Sequence, residues 1–144
     1  MTPELKALAR RAVACLMWRW MPGARVVPIL ADDTIEPVSG TIVADRGRLL
    51  VYWPDVGLRW QGAREHLLPD LTDPATLGCL LALVREAWGD PGFYAAQSGT
   101  KIKGTDIFGW DTFGYLHGRS RRDMLYRSEA EALVAALETG GGGA

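Results

Sequence analysis

Hydrophobic positions along the chain fall into three helical stretches separated by extended ones. The longest helical stretch is DLTDPATLGCLLALVREAWGDP, Asp70 to Pro91. Asp73 is a good N-cap acceptor, Pro74 suits the first helical position where a missing N–H costs nothing, and Gly89 with Asp90-Pro91 stops the run. The spacing predicts a helix over about 74–88, about 22 Å long. At about 100° per residue Leu77, Leu80, Leu81, Val84, Ala87 and Trp88 share one wide face. Cys79, Ala82 and Leu83 cover much of the other side, and only Arg85 and Glu86 are charged. A helix apolar nearly all round is buried between two layers.

Upstream, Thr2 and Pro3 open a helix predicted to run to about Trp20, with Leu5, Leu8, Ala9, Ala12, Val13, Leu16 and Trp20 on the core arc. Trp18 falls on the opposite side with Arg11. This pairing reads either as a second apolar contact or as an exposed cation–aromatic patch for a partner. From Arg25 to Trp60 the pattern becomes extended. Val26 to Leu30 is an apolar run that Pro28 confines to a sheet edge. Val38–Ala44 and Leu49–Trp53 flank Asp45-Arg46-Gly47-Arg48 as a hairpin, Leu58 to Gln61 adds a strand, and Gly62 to Pro69 connects to the central helix.

From Gly99 to Gly114 a glycine recurs every five residues, which suggests two irregular, loop-rich strands, or else a mobile glycine and aromatic loop that closes over something. Met124 to Arg127 reads as a last short strand. In SEAE, Ser128 caps and Glu131 reaches back, opening a closing helix to about Glu138 with Ala130, Leu133, Val134 and Leu137 as its stripe. The expected fold class is therefore α+β: a small antiparallel sheet of three to five strands packed with three helices. It forms a single globular domain over 1–139, with a flexible glycine-rich tail at 140–144.

Composition adds little to this and excludes much. With 48% hydrophobic and 23% charged residues and a net charge of −1, nothing global points to nucleic acid or membrane. The balance is uneven locally: Lys6, Arg10, Arg11, Arg19 and Arg25 stand against Glu4 at the start, and four arginines against Asp123 over 119–127. Cys15 and Cys79, both inside predicted helices, read as reduced and shielded in a cytosolic protein. Two histidines, His66 and His117, assemble no zinc signature, so no metal or cofactor is expected. The start lacks the uninterrupted apolar core of a signal peptide or a membrane span.

Candidate chemistry is thin. Neither Ser98 nor Ser120 sits in a G-x-S-x-G elbow, and no phosphate loop occurs. The carboxylate pairs Asp32-Asp33 and Asp106/Asp111 are explained by turn chemistry and by a solvated loop. No catalytic residue is assigned. The strongest polar constellation is His117-Gly118-Arg119-Ser120-Arg121-Arg122, in which Arg119, Arg121 and Arg122 could grip an anion while Trp110 or Tyr115 stacks on a ring. The alternative is a solvated turn. Arg11 and Trp18 form the second candidate surface.

Three stretches, CLMWRWMPG, LPDLTDPATLGCLLALVREAWGDP and SEAEALVAALE, resemble small hypothetical proteins encoded by phages and prophages of Gram-negative bacteria. The resemblance covers about a third of the chain and implies an accessory or assembly protein with no transferable activity. The leading expectation is a non-enzymatic binding protein acting in the host cytosol, with counter-defence among its roles. Its target would be a host or phage protein, or an anionic, nucleotide-like small ligand. A small nucleic-acid-binding module, a virion component and, last, an enzyme are the alternatives, with a homodimer left open and no membrane partner.

Overall fold

The computed structural model describes residues 1–30, 32–36, 38–55, 57–59, 67–115, 118–119 and 125–140. The Thr2 hydroxyl accepts the Leu5 amide at 3.2 Å and opens helix α1, Pro3–Ala14. This helix is shorter than its pattern. Leu16, expected on the core arc, lies fully exposed in a turn, while Trp18 and Trp20 follow outside any helix or strand, their rings edge to face with centroids 5.4 Å apart. Trp20 packs against the first sheet's core. Two more helical turns would gain only tenths of a kcal/mol per residue, against a few for burying an indole. The shared helical face expected for Arg11 and Trp18 therefore does not form.

The chain divides into two compact units, Met1–Ala14 with Trp18–Cys79, and Cys15–Met17 with Leu80–Ala144. The first unit is built on an antiparallel sheet of β1 (Arg25–Pro28), β2 (Gly40–Asp45), β3 (Arg48–Trp53), β4 (Gly57–Arg59) and β5 (Leu67–Pro69), ordered β4-β3-β2-β1-β5. The β2–β3 hairpin falls where the pattern placed it. Arg46 and Gly47, both at positive φ (50° and 78°), make the two-residue turn whose twist matches the strands. Ala24, Val26, Ile42, Val51, Trp53 and Leu67 form the core.

Two expectations are corrected here. Pro28 does not put β1 at an edge, because the strand is paired on both sides. Its ladder to β2 holds only Arg25↔Thr41 and Val26↔Gly40 and ends before Pro28, so the missing N–H falls where no ladder bond is needed on that side. The segment before the central helix also contains a strand, β5, whose three residues are all buried. A short run of Leu-Leu-Pro carries no period by which to recognise it.

Helix α2, Pro74–Trp88, has its predicted bounds. Asp73 Oδ2 accepts the Thr76 amide at 2.9 Å and the Thr76 hydroxyl at 3.0 Å. The fully buried Thr76 oxygen in turn accepts the Arg25 amide at 2.8 Å, tying the helix start to β1. At the other end Gly89 (φ 60°) lets the Gly89 amide reach the Glu86 carbonyl and the Asp90 amide the Arg85 carbonyl, a paired left-handed stop.

In the second unit the later turns of α2 accompany a three-stranded antiparallel sheet, β6 (Tyr94–Ile102), β7 (Thr105–Gly114) and β8 (Gly118–Arg119), and helix α3, Glu129–Gly140, which packs on β6 and β7. Leu80, Leu83, Val84, Phe93, Leu133, Val134 and Leu137 are buried. Trp88 stacks on Phe93 at 5.4 Å, and its indole N–H donates to the Ala136 carbonyl at 2.9 Å, joining α2 to α3. The architecture is thus α+β, with three helices and strands distributed over two sheets among the described residues. The segment expected to form irregular strands is instead a regular hairpin of nine and ten residues. Of the predicted tail at 140–144, Gly140 is instead the last residue of α3, and 141–144 lie outside the described residues.

Candidate functional site

The site begins with a turn. Lys103 and Gly104 take positive φ (51° and 79°) and close a two-residue connection, which pairs β6 with β7 over nine registered positions from Ile102↔Thr105 to Tyr94↔Phe113. Residues two apart share a face of a strand. Phe108 and Trp110 therefore stand on one side, opposite Gly99 and Gln97. Gly99 has no side chain, and the Phe108 ring leans over it, with ring atoms 3.1 and 3.2 Å from where a β-carbon would stand. The ring remains 82% exposed.

On the other edge of β7, Gly109 has a different task. A β-carbon there would lie 2.7 Å from the Tyr126 carbonyl oxygen, so only glycine lets residues 125–126 approach. The approach is held by two hydrogen bonds, Trp110 amide to Tyr126 carbonyl at 2.7 Å and Tyr126 amide to Trp110 carbonyl at 2.8 Å. Arg127 follows directly and is fixed from its own side. Ser128 Oγ accepts the Glu131 amide at 3.1 Å, and the Glu131 carboxylate reaches back to the Arg127 amide at 3.1 Å, one residue further than the expected capping box. The result is an open groove of about 450 Å³ lined by Gln97, Ser98, Gly99, Phe108, Gly109, Trp110 and Arg127.

Among the described residues the groove offers two aromatic rings, one hydroxyl, one carboxamide and one guanidinium. Arg127 is exposed and forms no ion pair among the described residues. Towards the hairpin tip, Lys101 and Asp106 face each other at 3.8 Å, both well exposed. Such a pair contributes at most about 1 kcal/mol and is readily exchanged. No residue with a described side chain between 99 and 108 is buried.

Of the residues singled out from the sequence, Trp110 lines this groove and is half-buried. Tyr115 is 86% exposed in the turn after β7. Arg119 pairs through its backbone with Phe113, while its side chain and all of His117, Arg121 and Arg122 lie outside the described residues. Arg11 is exposed in the last turn of α1. Trp18 is half-buried against Trp20, with its indole nitrogen buried and without an acceptor. Phe108, Gln97 and Arg127 were not singled out. The signal for Phe108 lies in Lys103-Gly104: read as a two-residue turn, it puts Phe108 opposite Gly99 and in line with Trp110.

The carboxylate pairs resolve differently. Asp33 (φ 71°) accepts from both Lys6 and Arg10 of α1, and the Asp32 carboxyl is held below its ordinary pKa by the Thr34 hydroxyl and amide. Both act in holding a turn. Asp106 is exposed, but Asp111 is not the solvated loop carboxylate expected: it is fully buried within β7, with Oδ1 accepting the Thr112 amide at 2.8 Å. Among the described residues no three His, Cys, Asp or Glu side chains converge as a metal site, and no helix is long and apolar enough to cross a membrane. A second concavity, about 590 Å³, lies in the first unit between the start of α1 and residues such as Val27, Ile35, Val38 and Leu71. Its acidic groups are Glu36 and Asp70, and Asp70 Oδ1 is already occupied by the Thr72 amide and hydroxyl. No family model, curated protein or solved structure matches the chain.

Proposed function

We propose that the protein is a non-catalytic binding protein whose working surface is the Phe108–Trp110 face of the β6–β7 hairpin, and that its ligand is nucleotide-like, a flat ring carrying an anionic group. The observation that carries this reading is the Phe108 ring, 82% exposed over Gly99 and beside Trp110 and Arg127 in one groove. A large apolar ring left in water gains nothing for folding, whereas aromatic and arginine side chains are the types that dominate binding energy. The groove's size suits a mononucleotide-sized ligand. The resemblance to phage and prophage proteins supports an accessory role in an infected host, with a host or phage protein as the competing target.

Calorimetric titration with nucleoside mono- and triphosphates tests the site. Trp110→Ala and Arg127→Ala should each weaken binding by about 1 to 3 kcal/mol, the loss of a stacked ring or of a charge-assisted hydrogen bond. Affinity unchanged in both variants would move the working surface elsewhere on the molecule.

A further inference from the structure

We infer that the ligand of this face is single-stranded nucleic acid, bound across at least two nucleotides, an inference that rests on the binding surface proposed above and deepens it. Phe108 and Trp110 are two residues apart on one face, so their rings occupy successive rows about 7 Å apart along β7. One base covers one ring. A mononucleotide would leave the other idle, whereas two unstacked bases of a strand can each take a ring.

The charges are arranged at the ends of this two-ring platform. Arg127 lines the groove beside Trp110, and Lys101 occupies the next row beyond Phe108, with Lys103 in the turn at the tip. Against these three cations the described hairpin face sets one exposed carboxylate, Asp106, in a weak pair with Lys101. Cation, ring, ring, cation is the order in which a strand with a phosphate on either side of two bases would meet the face. A duplex presents no free base faces, so it cannot use the rings.

The test uses the full chain with fluorescein-labelled U12 and dT12, the corresponding blunt duplexes, and UMP and dTMP as competitors. Both single strands are expected to bind at least tenfold tighter than the mononucleotides and the duplexes. Phe108→Ala and Trp110→Ala should each weaken oligonucleotide binding by about 5- to 150-fold. Arg127→Gln should lower the slope of log affinity against log salt by about 0.7, one phosphate contact fewer. Because Phe108 is exposed, its variant stays folded even if the Trp110 variant does not, which circular dichroism checks. Mononucleotide binding as tight as that of U12 overturns the polymeric ligand and leaves the nucleotide site standing. Oligonucleotide binding that survives both ring deletions, or that is matched by the duplexes, overturns the inference. Absence of binding by every probe removes the nucleotide site as well.

Discussion

Among the described residues two hairpins share the same turn and meet opposite fates. In β2–β3 the turn is Arg46-Gly47 at φ 50° and 78°; in β6–β7 it is Lys103-Gly104 at 51° and 79°. The first hairpin carries Ile42, Leu50, Val51 and Trp53 into the interior. In the second, nothing described from Gly99 to Phe108 is buried, and the Phe108 ring is 82% exposed. Turn chemistry decides that a hairpin forms. What lies beneath it decides whether its aromatic residues become core or surface. An aromatic residue opposite a glycine, beyond the reach of a packed layer, contributes little to stability.

The sharpest way to break this comparison is to remove the large ring from each hairpin. Trp53→Ala deletes a side chain that is 7% exposed and should destabilise by about 3 to 5 kcal/mol in denaturant unfolding. Next in size is Gly109→Ala, whose β-carbon would meet the Tyr126 carbonyl at 2.7 Å. Backbone cannot swing away as a side-chain tip can, so about 1 to 3 kcal/mol of stability should go, together with the placement of Arg127 and hence ligand affinity. Phe108→Ala should change stability by less than about 0.5 kcal/mol. If its cost instead approached that of Trp53→Ala, the second hairpin would be core, and the binding surface argued from it would fall.

The smallest effect is one of pH. Burial, and secondarily the Asp73 charge, raise the Cys79 thiol pKa, and its Sγ lies 3.6 Å from the Pro22 carbonyl. The folded state thus holds this proton more tightly than the unfolded state. Its contribution to stability is complete below the unfolded thiol pKa and is lost as pH rises above it. Native Cys79 should label with iodoacetamide more slowly than a free cysteine at pH 8, accelerating only as the pH passes the ordinary thiol range; equal rates at pH 8 would contradict the shielding. Cys15, likewise in no disulfide and half-buried, stands just past the end of α1, not inside a helix as its sequence context suggested.

Where local chemistry is strong, the sequence alone determined the outcome. Asp73-Pro74 and Gly89 bound α2 to the residue, Ser128 caps α3, and Arg46-Gly47 turns the first hairpin, because each needs only its neighbours' backbone. The α+β class follows from those periods. Tertiary structure alone decided the rest. Helix α1 stops at Ala14 because Trp20 gains more against the sheet than in another turn. Pro28 sits inside the sheet because the ladder on one side ends before it. Of the candidate site, Trp110 was legible as an aromatic residue without a place in the core, but its company was not. Arg127 reaches the groove through a two-bond bridge that Gly109 permits, and Phe108 is exposed because its cross-strand neighbour is Gly99. Pairings between residues 9 and 16 positions apart depend on register and on what packs below, and a linear pattern of polar and apolar residues encodes neither.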